Sequence, residues 1–139
     1  MGQGLIYVLE DEVPVRTVLV DALTSVGYEV REFGDGQRAL DEIDRVVPEL
    51  ILLDMRMPRM DGFKFLSALR RKPTAAQAVP VIVVSGLGDE LLRAIDARAA
   101  EDLGVAGIFA KPFDVPTLLR YVASVLARDT RSGAPPTKS

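Results

Sequence analysis

Four places in this 139-residue chain carry side chains able to do chemistry. Glu10, Asp11 and Glu12 form one acidic run, Asp54 follows a block of aliphatic residues, and Ser85 and Lys111 each close an apolar run further on. Gathered carboxylates repel one another unless a cation sits among them. A hard divalent ion such as Mg2+ takes a few carboxylates and a carbonyl, and keeps its remaining positions for water or phosphate oxygens. The Ser85 hydroxyl would add a hydrogen-bond donor to such a site and the Lys111 ammonium a positive charge. If the fold brings the four places together, they describe a site for a phosphoryl group.

Composition narrows the chemistry further. The chain has no Cys and no His, which excludes disulfide scaffolds, cysteine nucleophiles, histidine-ligated metals and serine-protease-type triads. Any phosphohistidine must therefore come from another protein. Seventeen basic residues against twenty acidic ones give a net charge of −3, which offers no electrostatic footprint for nucleic acid. No basic segment leads into an apolar one at the start, and no run approaches the roughly 18 apolar residues of a membrane span. A cytoplasmic chain with no membrane contact is the expectation. Rival phosphate motifs are missing: there is no GxxxxGK[ST] loop and no GxGxxG after the first apolar run. Asp54 is followed by Met55 and Arg56, without the second Asp two positions on that haloacid-dehalogenase-type phosphatases use.

Those residues need a scaffold, and the periodicity supplies one. Apolar runs of strand length stand at 5–9 (LIYVL), 28–33 (YEVREF), 50–53 (LILL), 81–84 (VIVV) and 107–110 (GIFA). Segments of helical period separate them. Val15, Val18, Leu19, Ala22, Leu23 and Val26 recur at helical spacing, with Pro14 near the start and Gly27 past the end. The same reading predicts helices over about 37–46, 62–71, 89–103 and 115–127, with Asp61 as the cap of the third. Strands such as LILL and VIVV, apolar without alternation, are buried on both faces as in a parallel sheet. The fold class is α/β: a doubly wound five-stranded parallel sheet with five helices. In such a sheet ligands bind beyond the carboxyl ends of the strands, where all four chemical residues sit. Residues 128–139, with Pro135-Pro136 and almost no apolar side chains, are expected to be a disordered tail or linker after a domain spanning 1–127.

At this point the chain resembles the receiver domain of a two-component response regulator, over about residues 5–127. The resemblance rests on Glu10-Asp11 followed by Arg16, on Asp54-Met55-Arg56-Met57-Pro58-Arg59-Met60-Asp61-Gly62, on Ser85-Gly86 and on Lys111-Pro112-Phe113, in that order. It implies a flavodoxin-like fold with strand order 2-1-3-4-5, in which Asp54 is the phosphoacceptor and Mg2+ is held by Glu10, Asp11, Asp54 and the carbonyl of Arg56. It implies that Ser85 bonds the phosphoryl group, that Lys111 pairs with its charge, and that the Lys111-Pro112 bond is cis. The implied donor is a phosphohistidine on a sensor histidine kinase or histidine phosphotransfer protein, or a small molecule such as acetyl phosphate. Phosphorylation-dependent homodimerisation is a further implication. Such a protein catalyses its own phosphorylation and dephosphorylation and is not a turnover enzyme.

Two positions depart from the family's pattern. Glu10 stands where Asp is commoner, and its extra methylene is expected to loosen or water-bridge the metal contact. Ile108 stands three before Lys111, where many receivers carry a Tyr or Phe that turns inward with the hydroxyl of Ser85; Phe109, next to it, points to the other face. Switching is therefore expected to rely on the 89–103 helix. Glu12 reads as a helix-start charge, and Asp61 as a structural cap. Two rival functions stay open: a degenerate receiver that binds proteins without phosphorylation, and a metal-dependent phosphatase acting on small substrates.

Overall fold

The computed structural model describes residues 4–57, 59–86 and 102–128. Its elements run β1 (Leu5–Leu9), α1 (Val13–Ser25), β2 (Glu29–Phe33), α2 (Gly36–Ile43), β3 (Leu50–Leu53), α3 (Gly62–Arg70), a short 3-10 turn (Ala75–Ala78), β4 (Val81–Ser85), β5 (Val105–Ala110) and α4 (Val115–Arg128). All strand pairs are parallel, as the alternation of apolar runs and helices predicts, and the order is β2-β1-β3-β4-β5, as the family resemblance implies. The expected helix over 89–103 lies outside the described residues but for its last two, and so does the expected tail after Arg128. No helix among the described residues is long and apolar enough to cross a membrane.

Strand period 2 splits the sheet's side chains between two cores. Tyr7, Leu9, Ile51, Leu53, Val81 and Val83 pack with α2 and α3 on one face. Ile6, Val8, Leu50, Leu52, Ile82 and Val84 pack with α1 and α4 on the other. Every residue of β3 and β4 is buried, which is why these strands read as unbroken apolar runs. β2, at the sheet edge, keeps its charged residues exposed.

The helix boundaries follow local capping. The carboxylates of Asp35, Asp61 and Asp114 accept from the backbone N–H groups of Arg38, Lys64 and Thr117 at 3.0, 2.9 and 2.9 Å, each covering a donor that a helix start leaves unpaired. α2 stops at Ile43, three residues short of the expected end. The N–H groups of Arg45 and Val46 both turn back to the Glu42 carbonyl, and Pro48 holds the residue before it away from helical geometry. The 3-10 turn escapes the sequence reading because it is too short to show a period. At the opposite end of the sheet from the chemical residues, the Arg70 guanidinium donates to the carbonyls of Gln77, Val79, Leu103 and Gly104, lacing α3 to the connections around β4 and β5.

Two side chains in this framework give direct stability tests. The Tyr7 ring is fully buried against Phe33, and its hydroxyl donates to the Val46 carbonyl. Tyr7→Phe should lower the unfolding free energy by about 1–2 kcal/mol, the cost of stranding a partly buried carbonyl. Arg59 has a φ of 69°, in the left-handed region, and its ion pair with Asp35, at 3.5 Å with an arginine 77% exposed, contributes little. Arg59→Gly should therefore raise stability by about 0.5–1 kcal/mol. Urea midpoints measured for both variants against the parent check the two signs.

Candidate functional site

Adjacency of β1 to β3, and of β4 to β5, sets the carboxyl ends of four strands side by side. Backbone bonds carry the ladder one residue past the strands: Glu10 N–H to the Phe33 carbonyl at 3.0 Å, Asp54 N–H to that of Leu9 at 2.9 Å, and Lys111 N–H to that of Ser85 at 2.9 Å. Each chemical residue thus takes its place from the sheet itself. Beyond these strand ends lies a cleft of about 330 Å³ lined by Asp11, Glu12, Asp54, Arg56, Gly86 and Lys111, with Glu10 and Ser85 outside its lining. Glu10, Asp54 and Ser85 are the buried polar or charged residues among those described.

The turn after Asp54 is held by the core below it. Met55 and Met57 are buried with the α2–α3 cluster, and the Gly62 N–H donates to the Met55 carbonyl at 2.9 Å. A Cβ at Gly62 would lie 2.3 Å from Met55 Sδ and 2.8 Å from its Cα, so only glycine lets the start of α3 approach this closely. Asp61 acts as the cap expected of it and does not join the acidic cluster.

Carboxylate oxygens of Glu10, Asp11 and Asp54 lie within 4.8 Å of one another. At that separation each pair repels by about 3.5 kcal/mol at an effective dielectric of about 20. Lys111 answers part of this charge: its Nζ is 2.8 Å from Glu10 Oε1, 3.5 Å from Asp54 Oδ2 and 3.4 Å from Glu12 Oε1. The Lys111 ammonium is the one partner of the buried Glu10 Oε1 among the described residues. Glu10 Oε2 accepts from the Glu12 N–H at 3.1 Å, and Asp54 Oδ1 from the Arg56 N–H at 3.1 Å. Burial is the largest influence on Glu10 and lifts its pKa from 4.5 to about 7, against the pull of Lys111 and the Glu12 amide; the Asp54 charge adds to the rise. For Lys111 burial works against the charge, but Glu10 and Asp54 outweigh it and its pKa is raised.

Surplus negative charge beside an open cleft is what a divalent cation needs, and the three carboxylates could hold one. The extra methylene of Glu10 does not take its carboxylate out of this cluster. It also lets Glu10 meet Lys111, a contact the sequence does not announce. Glu12 lies at the head of α1, half in the cleft, as both a helix-start charge and a partner of Lys111. The Lys111-Pro112 peptide bond is cis. Ile108 packs toward the cluster of Leu53 and Val83, while Phe109 lies on the opposite face with its ring 5.4 Å from that of Tyr121. Arg16, part of the sequence motif without a stated role, donates from Nη1 to the Glu10 carbonyl at 2.6 Å; its helical position gives no hint of that reach.

A family model described as the response regulator receiver domain matches residues 6–123. The chain is 33% identical over 121 residues to a probable chemotaxis protein CheY of Rhizobium etli, covering 86% of this chain and 90% of that protein. It is 33% identical over 128 residues to the probable transcriptional regulator ycf27 of Porphyridium aerugineum, covering 92% of this chain but 50% of the relative, so it spans about half that protein's length. Among solved structures, the receiver domain of the sensor histidine kinase PA1611 of Pseudomonas aeruginosa, with a magnesium ion coordinated in its active site cleft, superposes with a TM-score of 0.79 at 27% identity, over 91% of this chain and 99% of that one. Full-length FixJ of B. japonicum gives 0.80 at 28% identity, over 96% of this chain and 62% of that one.

The raised pKa of Glu10 fixes the sign of a pH effect in metal-free protein. A carboxyl that ionises near 4.5 when unfolded but near 7 when folded contributes stability that is fully present below the lower value and lost as pH rises through the upper. Urea midpoints in chelator should therefore fall between pH 5 and pH 8, and Glu10→Gln should flatten that fall. A wild-type slope equal to that of the variant would place the titration elsewhere.

Proposed function

The chain belongs to the response regulator receiver family, and on that premise we propose that it is a phosphoacceptor switch: Asp54 takes a phosphoryl group from a phosphohistidine on a partner sensor kinase or phosphotransfer protein. The observation that carries this reading is Asp54 itself, a buried carboxylate at the end of β3 with an ammonium 3.5 Å away and two further acids beside it. Asp54 Oδ2 attacks phosphorus, the P–N bond to the donor imidazole breaks, and an acyl phosphate results. Glu10, Asp11, Asp54 and the carbonyl of Arg56 are the residues that would hold Mg2+, which supplies charge neutralisation for the phosphoryl oxygens when bound. Lys111 gives up its contact with Glu10 and pairs with a phosphoryl oxygen, and the Ser85 hydroxyl donates to another.

Occupying the site changes what the end of β4 and the start of the following segment are bonded to, and the signal is a shift in population toward a different interaction surface. The chemistry is a single self-catalysed turnover on the chain's own Asp54, set in a cytoplasmic signalling pathway. Pairing of two phosphorylated copies belongs to the same reading, whereas nucleic acid and membrane do not.

Intact mass after incubation with acetyl phosphate and Mg2+ tests the proposal. One phosphoryl adduct is expected, absent from Asp54→Asn and from a sample in chelator. Lys111→Met should slow labelling by about 100-fold or more, the usual loss when a charge placed for the transition state is removed. No adduct on wild-type protein, together with no Mg2+ binding, would turn the reading to a receiver that acts through protein contacts alone.

A further inference from the structure

Arg16 lies in the first turns of α1 and takes no part in the chemistry above. Its side chain is only 20% exposed, and its guanidinium spans two strands: Nη1 donates to the Glu10 carbonyl at 2.6 Å, and Nε donates to the carboxylate of Glu32 on β2 at 3.1 Å. A Cβ at Gly34 would stand 3.4 Å from Nη1, so the residue after β2 is the smallest one where the guanidinium passes. The backbone N–H of Arg16 also donates to the Glu12 carbonyl at 2.9 Å. That second bond is the ordinary first-turn helix bond, so the side chain itself holds the carbonyl on one side of Asp11, the exposed member of the acidic cluster.

We infer that Arg16 is a positioning residue: its guanidinium clamps the Glu10 carbonyl, next to Asp11, onto Glu32 of β2 and so keeps the Asp11 carboxylate within ligand reach of Glu10 and Asp54. The inference rests on the metal-dependent reading of the site. A solvent-exposed carboxylate on an unheld loop must be ordered when a cation binds, and the clamp meets that cost in advance. The fork of a guanidinium is suited to this, because it reaches a carbonyl and a carboxylate at once in fixed directions, which an ammonium cannot do. The opposing effect is electrostatic: a positive charge near the cleft weakens cation binding, although Glu32 offsets it. The two roles of Arg16 therefore predict opposite signs for its removal.

Calorimetric titration of the full chain with Mg2+ separates them. Arg16→Met should weaken Mg2+ binding by about tenfold, the usual size of a change in the groups that orient a metal's ligands. At saturating Mg2+ its maximal rate of labelling by acetyl phosphate should match wild type. In metal-free protein, amide exchange at Glu12, whose N–H is bonded to Glu10 Oε2, should speed up in the variant. Arg16→Lys should recover only part of the Mg2+ affinity. Glu32→Gln, which frees one arm of the clamp and leaves Arg16 in place, should shift affinity in the same direction by a smaller factor, and it carries the test if Arg16→Met does not fold. Unchanged or tighter Mg2+ binding in Arg16→Met and Glu32→Gln, or full rescue by lysine, would overturn the clamp. If wild-type protein neither binds Mg2+ nor takes a phosphoryl group, the underlying reading fails; if it does both and the variants match it, the clamp alone fails.

Discussion

Two carboxylates, Glu10 and Asp54, are held almost without water at the carboxyl edge of a parallel sheet, and Lys111 is the cation that makes this tolerable. Burial of like charges in a low-dielectric setting is the costliest feature of the molecule. Lys111 offsets it only in part, as the raised pKa of Glu10 records. The remaining imbalance leaves three carboxylates that could hold a cation. On the proposed phosphoacceptor reading, stability and chemistry are therefore opposed at this edge: the carboxylates that cost folding energy would serve as ligands and nucleophile, and Lys111 would exchange Glu10 for a phosphoryl oxygen.

The rest of the fold holds that edge in place. β3 and β4, buried on both faces, form a rigid middle, and the ladder bonds at Glu10, Asp54 and Lys111 pass its register directly to the chemical residues. Below the turn after Asp54, Met55 and Met57 reach into the core, and Gly62 lets the start of α3 close against them. At the acidic run, Arg16 does from the helix side what the ladder does from the sheet side. A site built on strand ends in this way needs little loop ordering, which suits chemistry that depends on several charges meeting within a few ångströms.

The acidic run, Asp54, Ser85 and Lys111-Pro112 each end an apolar run in the sequence, and the rule that open parallel sheets bind ligands beyond their carboxyl ends selects them without coordinates. Capping by Asp61 and the opposite faces of Ile108 and Phe109 are legible because strand and helix periods are local properties, whereas the strand order is carried by the resemblance of the motifs to the receiver family. Less legible is the end of α2, where competing turn bonds to Glu42 shorten a helix whose apolar pattern continues. The reach of Tyr7 to Val46 and of Arg16 to the Glu10 carbonyl escapes the sequence for another reason. Each joins residues brought together only by packing, and a side chain's direction across such a gap has no sequence period.

By itself, then, the sequence determined the strands and helices, the parallel α/β class, the edge where chemistry belongs and the residue types gathered there, since periodicity and turn residues act locally, and its motifs brought the strand order with the family they resemble. Only the tertiary structure decided how those residues are paired: that Lys111 rests on Glu10 and Asp54, that Glu12 shares it, that Gly62 is required by Met55, and that Arg16 spans the acidic run and β2. Pairings of this kind depend on distances of a few tenths of an ångström between side chains from different elements. They are set by close packing of the whole core and not by any segment alone.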